Sequence, residues 1–88
     1  MTSAESKVSA ALEACRSLLS PAEYSEVSDL NTHSESGVAI EFLADFLGEK
    51  GAKVSDAQLS TIEEAFSLMR MEPGRRTEYL RELREAQS

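Results

Sequence analysis

Few residues in this 88-residue chain are equipped for covalent or metal chemistry. The single cysteine, Cys15, stands in helical phase with Val8, Ala11, Leu12 and Leu19, which places it on an inward face. A free cysteine at such a position packs as a small apolar residue, and apolar surroundings keep its thiol protonated. His33 is the one histidine. It lies in a polar stretch, where it can cap a turn or meet a partner. With no second histidine it builds no usual zinc site. The four glycines are scattered, and none belongs to a phosphate-binding loop. An activated nucleophile needs an adjacent base, and the sequence offers none. These residues point away from an enzyme and imply no cofactor.

Two short patterns fail on inspection. Ser28-Asp29-Leu30 inverts the Asp-Ser-Leu order of acyl carrier proteins, and Ser28 falls inside a helix where the modified serine should begin one. Asp56-Ala57-Gln58-Leu59 lacks the alternating oxygen ligands and central glycine of a calcium loop.

What the chain has in number is carboxylates. Sixteen Asp and Glu stand against nine Lys and Arg, a net charge of −7. Residues 1–69 hold twelve acids and four bases, whereas residues 70–88 hold four acids and five bases. A phosphate backbone would be repelled, so direct nucleic-acid binding is not expected. Glu41, Asp45 and Glu49 recur every four residues and project from one side of a helix. Stacked like charges destabilise an isolated helix by roughly 0.2–0.5 kcal/mol per pair, so stability alone would favour alternating signs. Glu23, Glu26 and Asp29 repeat the theme one helix earlier, and Glu35 adds to it from the intervening loop. If these elements pack as neighbours, they form a continuous negative surface. Such a surface either keeps a small protein soluble or docks a basic one.

The elements that position these residues read as helices, with almost no strand signal. A first helix spans about 4–19. Ser20-Pro21-Ala22-Glu23 is a capping box with proline at the first helical position, and the second helix runs to about Asn31. The polar stretch Thr32–Gly37 precedes the most apolar segment, Val38–Leu47, whose wide stripe suits a central helix. Gly48 or Gly51 can end it. Ser55 and Gln58 form a second capping box ahead of Leu59, Ile62, Phe66 and Met69. Pro73-Gly74 breaks the chain before a last segment, about 75–86, with only Tyr79, Leu80 and Leu83 to dock it. The expected fold is all-α: one domain over 1–88, a small antiparallel bundle of four helices with a core at about 4–71. A candidate fifth helix at the C-terminus docks loosely or extends. No stretch approaches the ~20 apolar residues of a membrane span, and Met1–Lys7 lacks the basic head and apolar run of a secretory signal. The expected location is the cytoplasm.

Residues 33–49, from His33-Ser34-Glu35-Ser36-Gly37 through Ala39, Glu41, Leu43, Asp45 and Leu47 to Glu49, resemble the central motif of the MafI-like immunity proteins. That motif reads roughly His-x-Glu-x-Gly-x-Ala-x-Glu-x-Leu-x-Asp-x-Leu-x-Glu. Leu18–Glu23 with Val27 and Leu30 resembles the family's first capped helix, and Val54-Ser55 with Leu59, Ile62 and Met69 its last. The likeness covers about residues 18–71. It departs at Asn31-Thr32, where the family is more apolar, and at both ends. The resemblance implies a bacterial cytoplasmic antidote that neutralises a cognate polymorphic-toxin domain, often a nuclease with a basic cleft. It makes Glu35, Glu41, Asp45 and Glu49 candidate toxin-facing or structure-fixing positions, without saying which role each plays. These four, with His33 and with Asp29 from the acidic face of the second helix, are the candidate partner-binding residues. Exposed members of the wide stripe, Ile40 or Phe42, are candidate apolar anchors. The competing expectation is a small helical adaptor that self-associates and has no toxin partner.

Overall fold

The computed structural model describes residues 3–86; the two residues at each end of the expected 1–88 domain lie outside them. The described chain is all-α: α1 (Ala4–Ala14), α2 (Pro21–Thr32), α3 (Ser36–Glu49), α4 (Asp56–Leu68) and α5 (Arg75–Ala86), with a 3-10 turn at Arg16–Leu18.

Side-chain caps open three of these helices. Ser3 Oγ accepts from the Ser6 amide at 3.1 Å and starts α1. Both expected capping boxes form. The Glu23 amide donates to Ser20 Oγ at 3.1 Å while the Ser20 amide donates to the Glu23 carboxylate at 2.9 Å. Ser55 and Gln58 make the same exchange at 3.1 and 2.8 Å. Gln58 Nε2 also donates to the Ala14 carbonyl at 2.9 Å, which ties the start of α4 to the end of α1.

The helix ends close on their own backbone. After α3, the Ala52 amide donates to Leu47 O at 2.9 Å and the Gly51 amide to Gly48 O at 3.1 Å. Gly51 takes the left-handed φ of 63° that this Schellman geometry requires. α4 ends the same way, with Met71 donating to Phe66 O at 2.9 Å, but there Arg70 holds the left-handed position at φ 56°. α2 follows with Glu35 donating to Leu30 O at 2.9 Å across Ser34 at φ 66°.

Three boundaries differ from the sequence expectation. α1 stops at Ala14 instead of running to 19, because the chain tightens into the 3-10 turn and delivers Ser20 in the extended conformation (ψ 160°) a cap needs. α3 begins at Ser36 rather than Val38, its hydrogen-bond ladder opening with the Ala39 amide donating to Glu35 O at 2.8 Å. Gly48 lies within α3 and does not end it. A Cβ there would sit 3.2 Å from Tyr79 Cδ2, so its lack of a side chain lets the α5 ring lie against the helix.

α3 is central and packs against all four other helices. Its Ala39, Ile40, Leu43, Ala44 and Leu47 join Val8, Leu12, Cys15, Val27, Val54, Leu59, Ile62 and Phe66 in one core. Full burial of an aliphatic or aromatic side chain of this size stabilises by about 1.5–3 kcal/mol. α5 belongs to that core too. Leu80 is fully buried, Thr77 nearly so, and the helix docks on α3 and α4 instead of extending. Besides Thr77, a second polar residue sits within the packing: Asn31 is 2% exposed. Its Nδ2 donates to Glu5 O and Ser9 Oγ, each at 3.0 Å, and its Oδ1 accepts from Ser36 Oγ at 2.7 Å. α1, α2 and α3 are thereby held in one register.

Candidate protein-docking surface

The six candidate residues divide into two groups. Asp29 and His33 lie on the exposed side of α2, where they line a shallow depression with Ala22, Ser25, Glu26 and Leu30. His33 is the C-cap of α2, and its Nδ1 lies 2.7 Å from Asp29 O. Glu35 follows as the exposed N-cap residue of α3, without a side-chain capping bond. Asp45 and Glu49 line a second groove, between α3 and α5, with Ala44, Gly48, Arg75, Arg76 and Tyr79. Glu41 is one turn away from Asp45.

The acidic stripe of α3 is not wholly free. Arg76 Nε donates to Asp45 Oδ1 at 3.0 Å, and its Nη1 lies 3.7 Å from Glu41 Oε2. Two of the three stacked carboxylates therefore share a cation from α5. This corrects the expectation that stability cannot explain their spacing, since the repeat is in part a seat for α5. On α2, Glu23 is likewise engaged, by Lys50 Nζ at 2.5 Å. That ion pair and the capping bond from Ser20 hold the Glu23 carboxyl below its ordinary range. Among the described residues, the side chains of Glu26, Asp29, Glu35 and Glu49 have no ion-pair partner. α2 and α3 do pack as neighbours. These four lie on the outer side of α2, at the α2–α3 turn and at the end of α3, while Glu5 on α1 and Glu72 after α4 are likewise without an ion-pair partner among the described residues.

Of the two proposed apolar anchors, Ile40 is excluded, being fully buried in the core. Phe42 is 36% exposed and rests edge-on against Phe46, ring centroids 5.9 Å apart. It stands on the outward side of α3 between Glu41 and Asp45 in sequence. An aromatic ring fixed by a neighbour and open to solvent suits an interface anchor.

Other titratable groups serve packing. Cys15 is fully buried, and burial pushes its thiol up to about 11, far from a reactive thiolate. Tyr24 donates its hydroxyl to Glu13, which lowers the carboxyl and raises the phenol. Arg16 stacks 4.5 Å from the Tyr24 ring centroid. This cluster ties α1 to α2 at the surface, and its Arg16 and Tyr24 line a small hollow with Leu19, Ser20 and Pro21. Among the described residues, no three His, Cys, Asp or Glu side chains converge as a metal site, and no helix is long and apolar enough to cross a membrane.

One participant escapes a reading of the sequence. Arg76 lies 31 residues from the aspartate it pairs with, beyond any local pattern. Glu26 was legible, falling three residues from both Glu23 and Asp29 on one helix face. Comparisons with protein families, with curated proteins and with solved structures found no match.

Proposed function

We propose that this chain is an immunity protein, which binds a basic bacterial toxin domain through the outer side of α2 and the exposed edge of α3 and neutralises it by occlusion. The observation that carries the reading is the set of unpaired carboxylates, Glu26, Asp29, Glu35 and Glu49, on helices that pack as neighbours, together with the exposed ring of Phe42 on α3. The likeness of residues 18–71 to the MafI-like proteins names the kind of partner. A face of this type covers ~800 Å² of a partner, enough for nanomolar affinity when an aromatic anchor is well seated. Unpaired charge at the rim raises the association rate, as capture of a toxin before it acts requires.

The test is co-expression with the toxin domain encoded beside the gene, scored by host survival, followed by stopped-flow association at low salt. Glu26→Lys with Asp29→Lys, at exposed positions without partners, should leave thermal stability within ~0.5 kcal/mol and slow association by about tenfold. Unchanged association would remove the acidic face from the mechanism. Exposed Leu68 and Tyr79, 42% and 45% accessible, favour a second reading, a self-associating adaptor. That reading requires concentration-dependent growth in mass by light scattering and no protection of the host.

A further inference from the structure

The arginines of the C-terminal helix have no place in the docking surface just described, yet one of them occupies part of it. We propose that Glu41 and Asp45 form a guanidinium site that α5 fills with Arg76, so that α5 is a displaceable strap over α3 and an arginine of a basic partner competes for the same carboxylates.

The seat has the right geometry for its ligand. Carboxylates at positions i and i+4 stand one turn apart on the same face of α3. The Arg76 fork reaches both, through Nε at 3.0 Å and Nη1 at 3.7 Å. Two nitrogens of one planar group meet two acids, an arrangement that lysine's single ammonium does not reproduce. The seat is also only partly enclosed: the Arg76, Glu41 and Asp45 side chains remain 34%, 34% and 45% exposed. Solvent and salt therefore reach the pair.

The helix that supplies Arg76 is weakly anchored. Between Arg75 and Ala86 only Leu80 is fully buried among the large apolar residues, Leu83 being partly so and Tyr79 half-exposed. Among its other ties across to the bundle are surface ion pairs, Arg81 to Glu63 at 2.6 Å and Arg84 to Asp56. Arg84 Nε is buried without a hydrogen-bond partner among the described residues, which detracts from the docked state. Exposed ion pairs are individually weak and screened by salt. The segment before α5 carries left-handed residues at both Arg70 and Gly74, with Pro73 between them, so the chain already turns sharply there. Few buried contacts and several screened charges mark a segment that opens before the rest of a fold. Opening would free Glu41 and Asp45 and uncover the groove walls at Ala44 and Gly48.

The strap stands on the geometry of the free chain, whereas the competition rests on the basic partner proposed above, and two measurements separate them. Hydrogen exchange on the full chain, with NaCl raised from about 0.05 to about 0.5 M, should lower α5 protection about tenfold and α1–α4 protection less than about twofold. Protection of α5 that ignores salt, or that falls in step with α4, overturns the strap. Calorimetric titration at low salt with a short oligoarginine peptide then compares Arg76→Gln with Arg70→Gln. The two variants change net charge equally, but Arg70 has no ion-pair partner among the described residues. Arg76→Gln should bind the peptide about fivefold more tightly. Equal affinity for the two variants overturns the competition and leaves the strap to the exchange result alone.

Discussion

Asn31→Ala should cost this protein more stability than any other polar-to-alanine change in α2. The side chain is 2% exposed and makes three hydrogen bonds, two donated by Nδ2 and one accepted by Oδ1. A typical buried hydrogen bond contributes about 1 kcal/mol net, and a stranded buried partner costs about 1–3 kcal/mol. Glu5 and Ser9 are on exposed residues and Ser36 on a half-buried one, so water can partly replace what is lost. The expected sum is about 2 kcal/mol. For a chain of this size, each kcal/mol moves Tm by roughly 4–8 °C, which predicts a fall of about 10 °C in a thermal scan followed at 222 nm. Asn31→Asp supplies an internal control. It keeps the acceptor for Ser36, loses both donations and buries a charge, so it should be worse than alanine at pH 7 and recover as the carboxyl protonates on acidification. If Asn31→Ala stays within about 0.5 kcal/mol of the parent in urea, the buried-network reasoning is wrong.

Arg70 ends α4 in a left-handed conformation, φ 56°, which costs a residue with a Cβ about 1 kcal/mol relative to glycine. Arg70→Gly should therefore raise the urea midpoint by an amount equivalent to about 0.5–1 kcal/mol, the lower end reflecting glycine's freedom in the unfolded chain; a lower midpoint would refute the strain. Cys15 gives a pH dependence of known sign. Its folded thiol stands at about 11 against an ordinary 9.0, so the protonated form is favoured by folding. That contribution is fully present below pH 9.0 and is lost as pH rises through about 11. Urea midpoints measured from neutral to alkaline pH should fall in that window, less steeply for Cys15→Ala, and an equal fall in both would show that the thiol is not the cause. In the native protein at neutral pH, a disulfide-exchange reagent should label Cys15 only at the rate of unfolding, and fast labelling would contradict its burial.

Much of the fold was legible because its signals are local. Ser20 and Ser55 each carry their partner three residues on, and both capping boxes close as the sequence requires. The inward stripe of α3 and the in-phase Cys15 follow from helical period alone. The misplaced boundaries arise where the deciding contact is remote. Gly48 reads as a helix stop until Tyr79, from α5, is seen to need the space beside it. Thr32–Gly37 reads as a polar, turn-prone stretch, yet Thr32 closes α2 and Ser36 is drawn into α3 and bonded to a buried asparagine. The docking of α5 was illegible because its apolar content is sparse and its cations find acids on α3 and α4 that no spacing rule connects. For the same reason the sequence leaves open whether Glu41 and Asp45, two of the three stacked carboxylates, face a partner or fix the structure, and α5 is what engages them. Glu49, Glu35, Asp29 and His33 are as open as the sequence implied.

The backbone-closed helix ends have a consequence for how such a molecule recognises anything. The α2–α3 connection, spent on terminating α2, leaves no slack chain there to mould itself around a visitor. Whatever docks on the outer side of α2 meets a contour settled beforehand. Little ordering entropy is then forfeited at the moment of contact, and a poorly matched visitor finds no compliance to accommodate it. Fine discrimination between close variants of a partner would reside in a handful of rigidly spaced side chains on two helices.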